Sequence, residues 1–597
     1  MPAAAVLLPA AALALLAPGG DEPHVRVQLL DNPRFDEPLP ERDFGSAPVP
    51  IPWWRATLGA QQLERRGDAV WINVADGLAA EQPVAAYEPT ACRTRLRGRV
   101  CGRGRLTISD GTGASAVRDF DAPAEAGQSF ELELGTLEPF ASTPPVPRLL
   151  VRLEALENGT ARWTDLEAWV ELPCPSEAAL RAEILGHLDW LFGEWTARAL
   201  DDLGPRATGF ACRYFDVVTG EPAGVGAGGL STLFVLLLDA LEVEERPAWR
   251  ATFERFLDDF FALCFHPLTG LPCGWDVSED LVVGSHPREV HAVLRFLLDL
   301  SERGPAAYRA RALERALALG EHVLAAGVLP DGLVAPGYRP SDGSPSVAYP
   351  PLRQLDVPAQ LARLGAISGD GRFTRAARAA LATLEYTHFW PGTWGAIDPG
   401  FDDNYGHFGA RALVMWRAHP ENAAFRRIAR GGLEHYAPLW RDALRLGGNV
   451  AADQVRCWEI AAQVAELAPE MRGEVAGLLR AAVRSHFKGE QYGNGAWGDV
   501  TIFGFDPRPD LQVGDFTGVP QNLVNGIAIA YEDRLGLRSD GLRAMFTAVM
   551  RSSVATYRRP YGYLSTRSEH SDRNPGGGAL RFMPGLVEML RKLSRPG

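Results

Sequence analysis

At 597 residues the chain has room for more than one domain, and 46% apolar with 22% charged residues is the make-up of a soluble globular protein with material for a large core. A formal net charge of −14 excludes a general nucleic-acid binder, which needs an excess of Lys and Arg to displace phosphate counterions. An anionic substrate stays open, because a local cluster of arginines reverses the field within one cleft.

Residues 1–20, MPAAAVLLPAAALALLAPGG, form an apolar Ala/Leu-rich run that ends in small residues. They read as a secretory signal peptide, although the run has no Lys or Arg ahead of it, and they predict a secreted or periplasmic protein. No later apolar run is long enough to span a membrane. There are seven cysteines, so at least one thiol has no intramolecular partner. Cys92 with Cys101 and Cys264 with Cys273 are spaced for disulfides in an oxidising compartment. No cysteine or histidine cluster has zinc spacing.

Residues 21–175 carry strand signals. Segments 95–100, 105–109, 129–134, 148–153 and 166–172 alternate or are β-rich, with Gly, Pro, Asp and Asn between them. Short strands at this rhythm predict an antiparallel β-sandwich. The order of strands, with a late Trp163-Thr164-Asp165-Leu166-Glu167 strand, resembles the jelly-roll modules attached to secreted carbohydrate-active enzymes, which implies a carbohydrate-binding-like domain. Trp53, Trp54 and Trp71 are aromatic enough to stack on sugar rings, but core packing is the better reading of each.

From Ser176 the period changes to that of helices, and 176–597 is expected to be the catalytic domain. Segments 176–185, 310–319, 373–382 and 472–480 are amphipathic with a charged face, as outer helices should be. Segments 229–238, 289–298, 410–416 and 522–530 are less charged and fit an inner layer. Inner helices are expected to start near Gly229, Arg288, Gln354, Asn404, Ala451, Pro520 and Gly576, a period of roughly 50–70 residues within the range of solenoids and toroids. The fold class is therefore α+β multidomain: an N-terminal antiparallel β-sandwich followed by an (α/α)6 or (α/α)7 toroid, with seven the better count.

The loops leading into inner helices are long and rich in Gly, Trp, Asp, Tyr and His, whereas those leading out are short. In a stacked ring all long loops emerge on one face, together with the positive ends of the inner helices. Residues 390–411 are the richest stretch. They hold Trp390, Trp394, Asp402, Asp403, Asn404, Tyr405, His407 and Arg411. Other junctions supply Trp275 and His291; Arg353 and Asp356; Gln454 and Arg456; Trp497, Asp515, Asn522 and Asn525; and Arg573. Singly, each fits a cap or a loop contact. Their concentration on one face does not.

This layout resembles secreted carbohydrate-active enzymes with a helical toroid, a group that includes polysaccharide lyases and glycoside hydrolases. The resemblance implies one of two chemistries. A lyase acting on a uronate-containing polysaccharide by β-elimination needs a carboxylate neutraliser, a base and an acid. Tyr405, His407, Asn404, Arg353 and His291 would supply them, with Tyr405 as base and acid, His407 as base or polariser, and Asn404 and Arg353 as neutralisers. An inverting glycoside hydrolase would instead use two carboxylates from Asp402, Asp403 and Asp515. A third reading is a sugar-binding protein without catalysis. Substrate binding is assigned to Trp275, Trp390, Trp394, Gln454, Arg456, Trp497, Asn522, Asn525 and Arg573. The expected partner is a polysaccharide. No cofactor and no catalytic metal are expected, although the acidic loops leave room for a structural calcium.

Overall fold

The computed structural model describes residues 22–36, 54–56, 62–85, 94–109, 115–134, 137, 148–190, 192, 214–216, 222–223, 225–276, 281–283, 289–346, 354–386, 404–445, 454–487, 519–557, 573–575 and 577–595. The N-terminal strands are β1 (His24–Gln28), β2 (Arg55–Ala56), β3 (Gln62–Arg66), β4 (Ala69–Ala75), β5 (Ala79–Ala85), β6 (Arg95–Ser109), β7 (Ser115–Ala122), β8 (Gln128–Glu133), β9 (Arg148–Ala155) and β10 (Thr160–Pro173). They form one hydrogen-bonded antiparallel sheet in the order β2-β5-β9-β6-β10-β4-β3, with β1 added to β10 and with β7 and β8 added to β6.

The expected sandwich thus takes the form of a continuous, half-barrel sheet, because two long strands serve both of its parts. The first half of β6 pairs with β8 and its second half with β7 and β9. The two strand segments read at 95–100 and 105–109 are one 15-residue strand. The glycines between them give room instead of ending the strand. Gly102 has φ +82°, and a Cβ there would meet the Thr160 carbonyl oxygen at 2.4 Å. A Cβ on Gly104 would meet Trp163 at 2.7 Å. Gly102→Ala is expected to destabilise the intact chain by about 2 kcal/mol in denaturant melts, from a strained backbone plus a clash with a main-chain atom that cannot move aside. Gly77→Ala, with φ +78° but open space around it, is expected to cost only the strain, about 1 kcal/mol. Equal losses at the two positions would refute the contact argument.

Edge-to-face packing of Trp163 on Phe120 and Phe130, at 5.8 and 6.1 Å between ring centres, anchors the core of the sheet. Trp54 is fully buried and donates its indole N–H to the Asn32 carbonyl at 3.3 Å. Trp71 is buried beneath the Arg66 and Arg99 guanidiniums. Both are core aromatics, and Trp53 lies outside the described residues.

The helices alternate strictly. The outer set is α1 (Glu177–Asp189), α3 (Pro247–Leu263), α5 (Ala306–His322), α7 (Gly371–Leu384), α9 (Ala423–Arg445), α11 (Arg472–Phe487) and α13 (Asp540–Tyr557). The inner set is α2 (Ala227–Val243), α4 (Glu289–Arg303), α6 (Asp356–Ser368), α8 (Asn404–Ala418), α10 (Gln454–Leu467), α12 (Val519–Ala530) and α14 (Gly577–Leu593). Each inner helix packs on the next, and α14 packs back on α2, so the described inner helices close a ring of seven. The inner helices start within three residues of the expected positions. Burial explains the two kinds of sequence. α7 buries Phe373, Ala377, Ala380, Leu381 and Leu384, a single stripe at helical spacing, and leaves its arginines outward. α6 buries nine residues, including the unbroken run from Asp356 to Ala362, because neighbours cover it on all sides.

Local signals set the ends. Ser176 caps α1 by accepting from the Ala179 N–H at 3.2 Å, Asp370 caps α7 by accepting from Arg372, and left-handed Gly369 ends α6. The sheet lies against the outside of the ring. β1 and β10 pack on α13, and Arg551 bridges Glu22 of the sheet edge to Glu183 of α1 at 2.9 Å each. Arg543 donates to the Pro175 carbonyl at 2.8 Å. Burial alone would raise the Glu177 carboxyl, but hydrogen bonds from Arg538 and Tyr531 outweigh it and hold the group below the usual carboxylate range. No described helix is long and apolar enough to cross a membrane. The leader, residues 1–20, lies outside the described residues.

Candidate functional site

Short β-ribbons mark the face where the inner helices begin. Val225–Gly226 runs directly into α2 and pairs with Gly274–Asp276, which pairs in turn with Leu281–Val283 ahead of α4. Gly337–Tyr338 and Pro345–Ser346 form a hairpin ahead of α6. Tyr214–Asp216, from the first long loop, pairs with Arg573–Pro575, from the last. The ring is therefore closed by strands at its mouth as well as by helices along its wall.

Three inner helices bring one polar cluster to this mouth. His291 is the third residue of α4, Asp356 the first of α6, and Arg411 the eighth of α8. The Arg411 Nε donates to Asp356 Oδ1 at 2.7 Å, and Asp356 is 3% exposed. The His291 Nδ1 lies 2.7 Å from the Asp356 carbonyl oxygen. A carbonyl can only accept, so this nitrogen carries the proton and Nε2 keeps its lone pair. His291 is half-buried. Burial is the main force that pulls its pKa down to about 4; the acid of Asp356 opposes this, and Arg411 and Arg295 reinforce it. At neutral pH the ring is thus an uncharged imidazole whose Nε2 has no hydrogen-bond partner among the described residues. The carboxylate beside it is already satisfied by a guanidinium.

Of the expected catalytic residues, His291 alone has a described side chain. Asn404, Tyr405 and His407 fall in the first turn of α8, as expected for a mouth position. Arg353, Asp402, Asp403 and Asp515 lie outside the described residues, as do Trp390, Trp394 and Trp497. Among the expected binding residues, Trp275 is in the ribbon opposite Val225 and Val282, and Arg573 pairs with Asp216 across the closing ribbon. Gln454 and Arg456 start α10, and Asn522 is in the first turns of α12. Asn525 is half-buried in α12, where Gly585 lets α14 approach its main chain: a Cβ on Gly585 would meet the Asn525 nitrogen at 2.7 Å.

In the hairpin ahead of α6, Tyr338 is 3% exposed and packs on the His322 ring, and it leaves no room for a Cβ on Gly327. It is a core residue. Cys264 and Cys273 do face each other across a hairpin, joined by the Cys273 N–H to the Cys264 carbonyl at 3.0 Å, but they are not bridged by a disulfide. Cys92, the expected partner of Cys101, lies outside the described residues. Among the described residues no group of three or more His, Cys, Asp or Glu is placed to hold a metal ion.

Sequence reasoning passed over Arg295, Arg363 and Asp299, all on inner helices. The signal was present: a charged residue inside an otherwise apolar inner helix must face the ring interior or pair with a neighbour. Asp299 is 2.7 Å from Arg363, 3.6 Å from Arg303 and 3.8 Å from Arg295, so one aspartate serves three guanidiniums.

No protein-family model and no curated protein matches the chain. Its fold is similar to several solved structures, all of them remote. One is cellobiose 2-epimerase from Bacillus thermoamylovorans B4167, with 12% identity over 69% of this chain and 99% of that one at a TM-score of 0.42. A second is a family 76 glycoside hydrolase from a bovine Bacteroides thetaiotaomicron strain, with 10% identity over 82% of this chain and 98% of that one at a TM-score of 0.37. A third is TmCBM61 in complex with beta-1,4-galactotriose, with 13% identity over 24% of this chain and 97% of that one at a TM-score of 0.16.

Proposed function

We propose that the mouth of the helical ring is the active site of a polysaccharide lyase acting on a uronate-containing polymer, with His291 as the base. The observation that carries this reading is the His291 geometry: its Nδ1 hydrogen is committed to the Asp356 carbonyl at 2.7 Å, and its Nε2 has no partner among the described residues. In the reaction His291 removes the proton on C5, next to the sugar carboxylate. The electron pair forms the C4–C5 double bond, the C4–O bond breaks, and the departing oxygen takes a proton from Tyr405. Asn404 and Arg353 would neutralise the carboxylate, and His407 would polarise it. Two aromatic loop residues, Trp275 and Trp497, would stack against the sugar rings. Export of the protein follows from this reading, since polymeric substrates lie outside the cell.

The inverting-hydrolase alternative needs two carboxylates held ready for proton transfer, and the acid at this cluster, Asp356, is already occupied by Arg411. The test is ultraviolet absorbance during incubation with alginate, glucuronan, pectin, ulvan and sulfated glycosaminoglycans. The conjugated double bond of an elimination product absorbs, so a rise on one of these polymers is the expected result. New reducing ends without absorbance would reassign the site to hydrolysis and to Asp402, Asp403 and Asp515. Solvent deuterium entering a sugar C–H bond without either change would keep His291 as a base but replace the polymer by a small sugar that is epimerised or isomerised.

A further inference from the structure

We propose that Arg295 is a further carboxylate-binding residue of the ring interior, which joins Asn404 and Arg353 in holding the acid group of the sugar residue whose C5 faces His291. This deepens the reading of the ring mouth as a uronate-directed site and rests on it. Arg295 follows His291 by four residues on α4, so it shares that helix face about 6 Å deeper in the ring. Its electrostatic neighbours are Asp239 of α2, Asp299 of its own helix, Arg363 of α6 and Arg411 of α8. A side chain that interacts with four inner helices points into the space they enclose. Even so, its side chain is 47% accessible to water.

The guanidinium is also short of anions. Among the described residues its nearest acid atom is Asp299 Oδ2 at 3.8 Å, beyond hydrogen-bond distance, and Asp299 lies closer to Arg363 and Arg303. Asp239 is occupied by Arg303 at 2.5 Å. An accessible arginine with its donors unspent, enclosed by protein and beside other guanidiniums, is suited to a planar carboxylate, which accepts two parallel N–H bonds. The distances agree with the chemistry. In a uronate the acid carbon is bonded to C5, so a base at C5 and a guanidinium reaching up from one turn below meet adjacent atoms. The same cation would stabilise the charge that gathers on the carboxylate as the proton leaves.

The experiment is calorimetric titration of the full chain with glucuronate, galacturonate and mannuronate, each beside its neutral parent sugar and the 6-sulfate of glucose. At least one uronate is expected to bind roughly tenfold or more tightly than its parent, the scale of a charged hydrogen bond. Arg295→Gln is expected to abolish that difference, and Arg295→Lys to restore part of it, with melting temperatures checking that both variants fold. The proposal is overturned if no uronate exceeds its parent, if Arg295→Gln binds like the unmodified chain, or if the sulfate is preferred to every uronate. Binding is read without turnover, so the two readings fail separately. Arg295-dependent uronate binding with no ultraviolet product would sink the lyase assignment and leave the subsite standing. Elimination activity with an unchanged KM and kcat in Arg295→Gln would do the reverse.

Discussion

His291→Asn is expected to lower turnover by roughly 10²–10⁴-fold, the usual contribution of a positioned base, while leaving the fold nearly as stable as before. The choice of asparagine matters. Its side-chain amide reaches as far as Nδ1 of histidine, so it can still donate to the Asp356 carbonyl that His291 contacts at 2.7 Å. It has nothing at the position of Nε2. The substitution therefore keeps the structural half of the imidazole and removes the chemical half. His291→Gln does the opposite, placing a polar atom near Nε2 and abandoning the carbonyl, and should lose stability as well as rate. If His291→Asn retains turnover within a few-fold, His291 is a packed polar residue and the base must be sought on α8.

The pH dependence gives an independent check of the same residue. With a folded pKa of about 4, His291 stays neutral far below the ordinary histidine range. The acid limb of kcat/KM should therefore fall near pH 4, not between 6 and 7. Stability carries a linked signature. The folded value lies below the unfolded value of about 6.5, so folding favours the neutral ring. This contribution is complete above pH 6.5 and is lost as the pH falls towards 4, to a limit of roughly 3 kcal/mol. His291→Asn has no proton to gain there, so its melting temperature should fall less than that of the unmodified chain between pH 7 and 4.5. Parallel falls would show that the imidazole titrates normally.

The division into inner and outer helices was legible because burial leaves opposite marks on them. The arginines of α7 need water on one side, whereas the first seven residues of α6 are buried and Asp356 is the one charged residue among those seven. The long β6 strand was not legible, since Gly102 and Gly104 read as punctuation when their purpose is to admit Thr160 and Trp163, nearly sixty residues later. The site divides in the same way. The mouth of the ring could be located from loop length and the composition of 390–411. What makes His291 a base could not. Its tautomer depends on a carbonyl 65 residues away, and its low pKa on burial by elements whose arrangement no local pattern encodes. Arg295 is the intermediate case: it is visible as an anomaly within an apolar helix, but without meaning until its shared aspartate is seen.

Breaking the Asp356–Arg411 pair should cost unequal amounts depending on which partner is removed. Asp356 is almost wholly buried and Arg411 about a fifth exposed. Arg411→Met takes from a buried carboxylate the guanidinium at 2.7 Å, a change that costs up to about 3–5 kcal/mol. The position of Asp356 at the first turn of α6 offsets part of this, because the positive end of the helix still favours an anion there. Asp356→Asn leaves the cation instead, and Arg411 can turn its donors to water through its exposed part, so about 1–3 kcal/mol is expected. The double variant should lose less than the sum, since with Asn at position 356 the charge that Arg411 balances is gone. Denaturant midpoints of the three variants measure this directly, and equal single losses with an additive double would mean the pair is not energetically coupled. The catalytic consequence follows from the main chain. The carbonyl that orients His291 belongs to Asp356 itself, so loosening the start of α6 misaligns the base without touching the sugar. Arg411→Met should therefore lower kcat more than it raises KM, whereas loss of Arg295, which both holds the carboxylate and stabilises its developing charge, should raise KM and lower kcat together.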